Sequence, residues 1–181
     1  MNILLTGGTG LIGSALVKKW QQQHQLQVLS RTQQKVQALF GPDVTAVAKL
    51  ADVDFNQLDA VVNLAGEPIV GKRWTAQQKQ RLCHSRWDLT EQLVSAINAA
   101  KTPPSVFISG SAIGIYGRQQ ATLIGEDFTH YHAEFTHQLC QRWEQIALQA
   151  SSERTRVCLL RTGIVLAANG GALKKMYLPF K

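Results

Sequence analysis

Short apolar runs alternate along the chain with longer stretches in which apolar residues recur at helical spacing. The first run, 2–6, leads into Gly7-Gly8-Thr9-Gly10. Leu11, Ile12, Ala15, Leu16 and Trp20 then fall three and four apart, with Lys18, Lys19 and a run of glutamines at 21–23 on the polar side, which predicts an amphipathic helix. The pattern next predicts a strand at 26–30, a helix at 32–40 stopped by Gly41-Pro42, and a strand at 44–48. Asp59 precedes a fourth strand over 60–65, which ends at Gly66. Leu89, Leu93 and Ile97 lie four apart in a long helical stretch, about 75–100, closed by Pro103-Pro104. A fifth strand is predicted at 106–109, an amphipathic helix at 133–150 and a sixth strand at 156–161.

Strands alternating with helices predict an α/β fold, a Rossmann-like doubly wound parallel sheet in a three-layer α/β/α sandwich. No internal repeat or low-complexity linker interrupts it. Beyond Gly170-Gly171, 172–181 reads as the start of another helix and not as a finished domain edge, so the chain reads as a fragment of something longer.

Composition narrows the class. The 181 residues suffice for one substantial domain, and 45% hydrophobic with 17% charged residues is an ordinary globular balance. No apolar run approaches the roughly 20 residues of a membrane span. The N-terminus lacks the basic and long apolar regions of a signal peptide. Cys83, Cys140 and Cys158 form no C-x-x-C pair, so they read as reduced cytosolic thiols in a cytoplasmic protein, without a disulfide framework. His130 and His132 flank Tyr131 without further ligands, and no metal site is expected. The net charge of +7 is spread thinly, with Lys18-Lys19 and Lys174-Lys175 as short pairs, which suits an anionic cofactor better than nucleic acid.

The strongest chemical signal is TGGTGLIG at 6–13. Gly7 permits a tight turn, Gly10 lets the backbone approach a pyrophosphate, and Gly13 lets the helix pack on the strand. Thr9, Leu11 and Ile12 complete the loop and the helix N-terminus, whose free N–H groups favour phosphate. A plain tight turn is the alternative. NAD binders usually carry an acid at the end of the second strand, for the ribose 2′-OH. Here Ser30-Arg31 stands there, and Arg31 can form paired hydrogen bonds to a 2′-phosphate with Ser30 adding a hydroxyl. The expected cofactor is NADP(H), against the plainer reading of a surface arginine. Asp52 is a candidate acceptor for the adenine amino group, or an exposed loop acid.

TGGTGLIG, NLAG at 63–66 and SGSAIGIYG at 109–117 resemble the cofactor loop, the segment after the fourth strand and the serine segment of extended short-chain dehydrogenases/reductases, in the NAD-dependent epimerase/dehydratase superfamily. NLAGEPI, KRWT, SRW, EFTHQLCQRWE, LLRTGIVLAANGGAL and KKMYLPF narrow the resemblance to its atypical NADP-binding epimerase-like subfamily, over the whole chain. The resemblance implies a Rossmann domain at 1–168 and, from 169–181 onward, the start of a substrate domain built mostly of residues beyond Lys181. It places Leu64, Ala65, Gly66, Arg86 and Val165 near the cofactor; composition alone makes Arg86 an ordinary helix-surface residue.

The family's classical chemistry uses a tyrosine and a lysine four apart on one helix face, and a serine that orients the substrate. The helix from Glu134 to Glu144 contains neither tyrosine nor lysine; Thr136 and Cys140, four apart, cannot replace them. Ser111 and Tyr116 are the candidate catalytic residues. For Ser111 three roles stay open: a hydrogen bond in the cofactor loop, substrate orientation, or local backbone satisfaction. Tyr116 faces the nicotinamide or is a packed aromatic with its OH bonded, and His137 reads as a candidate base or, more commonly, a surface histidine. The expected function is NADP(H)-dependent reduction or epimerisation of a nucleotide sugar or other small polar carbonyl or alcohol. A weakly catalytic NADP(H)-binding or redox-sensing module is the alternative, and a homodimer is the assembly left open.

Overall fold

The computed structural model describes residues 1–167 and 170–173. Its strands β1 (Asn2–Thr6), β2 (Gln25–Leu29), β3 (Val44–Val47), β4 (Ala60–Asn63), β5 (Val106–Ala112) and β6 (Arg156–Thr162) form one parallel sheet in the order β3-β2-β1-β4-β5-β6. Helices α1 (Leu11–Trp20), α2 (Gln33–Phe40), α3 (Ala76–Ala99) and α4 (Phe135–Leu148) supply the crossovers. Successive strand side chains point to opposite faces. Ile3, Leu5 and Val62 therefore pack with Val17 of α1 and Val36 of α2, while Leu4, Val61 and Phe107 pack with Leu93 of α3 and Ile146 of α4. Burial on both faces is why the strands read as continuous apolar runs.

Local chemistry sets several boundaries. Thr75 caps α3, its Oγ1 accepting from the Gln78 N–H at 3.2 Å. Gly41 ends α2 at φ +79°, a conformation other residues rarely adopt. The chain runs outward from β1 to β3 and returns to β4, so a crevice opens where the C-terminal ends of β1 and β4 diverge.

Four expectations need correcting. The fourth strand stops at Asn63; Leu64 and Ala65 already leave the sheet. The fifth strand runs on to Ala112, because β6 pairs with it as far as Ala112↔Thr162, so Ser111 is a buried strand residue and not a loop residue. On α1 the buried positions are Gly13 and Val17, whereas Leu11 and Ala15 are exposed. His137 is buried, with Nδ1 2.5 Å from the Ile115 carbonyl oxygen. After β6, β7 (Leu166–Ala167) bridges antiparallel to Gly171 and Gly170, forming a small hairpin against Leu11. Helical backbone begins at 171–173; the rest of the helix expected over 172–181, and the expected domain boundary at 168 and 169, lie outside the described residues.

Candidate functional site

The crevice is a cleft of about 610 Å³. Its floor is the glycine turn: Thr6, Gly7, Thr9 and Gly10. Gly7 has φ +69°, and a Cβ there would lie 2.5 Å from the Leu64 carbonyl oxygen. The Gly10 N–H donates to the Gly7 carbonyl at 2.9 Å, which closes the turn just before α1. No side chain caps the α1 N-terminus, so its first N–H groups have no side-chain partner. At Gly13 a Cβ would run into the Gly7 carbonyl oxygen, so the first turn of α1 sits directly on the loop.

One end of the cleft is cationic. Ser30, Arg31, Thr32 and Lys35 line it, and Ser30 Oγ accepts from the Thr32 N–H at 3.2 Å. The opposite wall is Leu64, Ala65, Gly66, Glu67 and Pro68, with Ser85 and Leu89 of α3 completing the lining. Glu67 pairs with Lys72 at 2.5 Å, and that hydrogen bond holds its carboxyl below the usual carboxylate range. Beneath this wall runs a satisfied buried chain. Thr6 Oγ1 donates to Asn63 Oδ1 at 2.6 Å, Asn63 Nδ2 to Thr90 Oγ1 at 2.9 Å, and Trp143 Nε1 also to Thr90 Oγ1 at 2.9 Å.

Of the residues singled out in the sequence, Gly7, Thr9, Gly10, Ser30, Arg31, Leu64, Ala65 and Gly66 come together on this cleft. Leu11, Ile12 and Gly13 form the α1 turn beneath it. Arg86 lies behind the wall: Nη2 donates to the Glu67 carbonyl at 3.0 Å and Nη1 to Leu82 at 3.1 Å. Asp52 is exposed in a short 3₁₀ turn (Leu50–Asp52) and does not line the cleft. Val165 sits beside the hairpin against Leu11, also off the lining.

Ser111 and Tyr116 do not line the cleft. Ser111 Oγ donates to Glu144 Oε1 at 2.5 Å. Arg161 grips Glu144 with two hydrogen bonds, Nε to Oε1 at 3.0 Å and Nη2 to Oε2 at 2.9 Å. Arg161 Nη1 also donates to the Tyr116 phenol oxygen at 3.1 Å, and the guanidinium lies 5.3 Å from the centre of that ring. Glu144 thereby holds Arg161 more firmly protonated than an ordinary arginine. Thr136 and Cys140 pack on the turn at Gly114, where a Cβ would be 3.2 Å from Thr136 Cβ and 3.6 Å from Cys140 Sγ. Burial pushes the Cys140 thiol up, which keeps it protonated and unreactive.

Sequence reasoning missed Lys35, Glu67 and Ser85. Lys35 lies in the first turn of α2, just past Arg31, and carried no spacing signal of its own. Glu67 directly follows Gly66. Ser85 stands in the SRW piece, but only its neighbour Arg86 was singled out there, and α3 brings both to the wall. Among the described residues no cluster of three or more His, Cys, Asp or Glu could hold a metal, and no helix is long and apolar enough to cross a membrane.

A parallel sheet in this order, with a glycine turn between its first strand and first helix, defines a Rossmann-type fold of the class built around a dinucleotide crevice. The chain belongs to the NAD dependent epimerase/dehydratase family, whose model matches residues 3–176. It is 34% identical over 188 residues to the chloroplastic epimerase family protein SDR39U1 homolog of Arabidopsis thaliana, covering 99% of this chain and 53% of the relative. To the Homo sapiens epimerase family protein SDR39U1 it is 32% identical, covering 100% of this chain and 60% of the relative. The chain thus spans between about half and three fifths of the length of these relatives. The crystal structure of human SDR39U1 (isoform2) with NADPH superposes with a TM-score of 0.86 at 32% identity, covering 99% of this chain and 59% of that one. A nucleoside-diphosphate sugar epimerase from Corynebacterium glutamicum superposes at 0.79 with 27% identity, covering 99% and 37%.

Proposed function

We propose that this chain binds NADP(H) in the cleft and serves epimerisation or carbonyl–alcohol redox chemistry on a nucleotide sugar or similar small polar substrate. The observation that carries the reading is one cleft that joins a glycine turn to Arg31 and Lys35, with no carboxylate at the end of β2. The residues fit the cofactor. Gly7, Gly8 and Gly10 put no side chain between the turn and a pyrophosphate, Thr9 adds a hydroxyl, and the first N–H groups of α1, from Leu11 to Gly13, have no side-chain cap to compete with it. Ser30, Arg31 and Lys35 present a hydroxyl and two cations to a 2′-phosphate, while Leu64, Ala65 and Gly66 form the facing wall. NADPH in the human relative supports the same assignment. When bound, a nicotinamide supplies hydride transfer, so the protein need only position the substrate and handle a proton. In this reading residues 1–168 form the dinucleotide-binding unit and 169–181 lead toward the part of the protein that takes the substrate.

A second reading, a binding or redox-sensing module with little turnover, draws on the Ser111 and Tyr116 hydroxyls. Both are engaged with Glu144 and Arg161, and α4 offers no tyrosine–lysine pair. Fluorescence titration with NADPH and NADH tests the cofactor assignment. The chain is expected to prefer NADPH, and Arg31→Ala to weaken NADPH binding about tenfold or more while leaving NADH nearly unchanged. Equal binding of the two dinucleotides, unaffected by the substitution, would contradict it. Deuterium transfer from labelled NADPH to a carbonyl substrate separates the two readings, since only an enzyme carries it out.

A further inference from the structure

The cleft wall is shaped from behind. Glu67 is held through its backbone on both sides of its Cα: its N–H donates to Ser85 Oγ at 2.9 Å, and its carbonyl accepts from Arg86 Nη2 at 3.0 Å. Ser85 and Arg86 are adjacent on α3 and are themselves fixed. Ser85 Oγ donates to the Leu82 carbonyl at 3.0 Å, and Arg86 Nη1 donates to the same carbonyl at 3.1 Å. The Arg86 guanidinium lies 5.4 Å from the centre of the Trp143 ring, and Trp143 is tied to Thr90 and packs on Gly110 of β5. Gly66 lies so close to the guanidinium that a Cβ would sit 2.9 Å from Arg86 Cζ. The wall therefore follows the position of α3 and, through Trp143, of α4.

We infer that Ser85, together with Arg86, is a positioning residue for dinucleotide binding: it holds the Glu67 peptide so that Leu64–Pro68 keeps the shape the cofactor needs. This inference rests on the cofactor reading above. A hydroxyl fits the task because it accepts from Glu67 while donating within its own helix, so no polar group in the wall is left without a partner. Ser85→Ala removes the acceptor of the Glu67 N–H, together with a longer contact from Arg86 Nη1 at 3.3 Å, and leaves the Arg86 Nη2 bond to the Glu67 carbonyl. Ser85→Thr keeps the acceptor.

The test uses the whole 181-residue chain and three measurements on each variant: amide hydrogen exchange at Glu67, dissociation constants for NADPH and NADH, and the thermal midpoint. Ser85→Ala is expected to speed exchange at Glu67 about tenfold and to raise both dissociation constants by a common factor of about three to ten. Ser85→Thr is expected to restore all three. A common factor distinguishes the wall from Arg31, whose loss acts on NADPH alone. Unchanged exchange at Glu67 in Ser85→Ala overturns the grip. Faster exchange with unchanged dissociation constants overturns its role in binding and leaves a merely structural contact. If the unsubstituted chain binds neither dinucleotide, the cofactor reading fails and takes the binding role with it, while the exchange at Glu67 still decides the grip.

Discussion

Glu144 is the residue around which the C-terminal ends of β5 and β6 are organised. It is buried, takes the Ser111 hydroxyl on one oxygen and is forked by Arg161 on both. A carboxylate in that position is tolerated because both of its oxygens accept from donors, one of them a paired guanidinium. Glu144→Ala strips the partner from Arg161 and from Ser111 together. The expected loss is about 3 kcal/mol, at the lower end for a broken buried pair because Arg161 keeps some contact with water. Urea unfolding measures it, and a midpoint unchanged from the parent chain would show that the pair is not holding α4 to β6. This network was invisible in the sequence: Ser111, Glu144 and Arg161 lie on three elements, with no spacing to link them. The glycine loop was legible because its chemistry is local, carried by three residues in one turn.

At the scale of elements, the join of β1 to α1 decides whether the cleft exists. The helix begins so close to the loop that Gly13 touches the Gly7 carbonyl and lies 2.8 Å, at a notional Cβ, from Gly8 Cα. Neither contact involves a flexible side chain that could yield. Gly13→Ala is expected to cost about 1–3 kcal/mol through overpacking and to lift the loop from its place. Differential scanning should show a lowered midpoint, and NADPH binding should weaken with it; a chain as stable and as tightly binding as the parent would contradict the contact. Element types followed from periodicity, but element ends did not. β5 is longer than its apolar run because its pairing partner continues it through Gly110, Ser111 and Ala112. β4 is shorter than its run because Leu64 and Ala65 are apolar for the cleft wall and not for the sheet. His137 looked like a surface residue, yet α4 turns it onto the Ile115 carbonyl and the Tyr131 ring.

Over the whole molecule, the strand order explains why one crevice gathers residues from the loops after four strands. Reversal between β1 and β4 leaves their C-terminal ends with no connection crossing above them, and the loops after β1, β2, β3 and β4 all open there. The apolar faces of the sheet are packed by two helices each, so this mouth is fixed by a core on both sides. Part of the positive charge acquires a location: Arg31 and Lys35 stand at one end of the mouth. The central claim is that NADPH lies along this mouth, and an amide hydrogen-exchange footprint tests it most directly. With NADPH, slowed exchange is expected in Gly7–Gly13, at Ser30–Thr32 and along Leu64–Glu67, with the outer face of α3 around Asp88 and Gln92 unchanged. Protection confined to other surfaces, or none at saturating NADPH, would contradict the account.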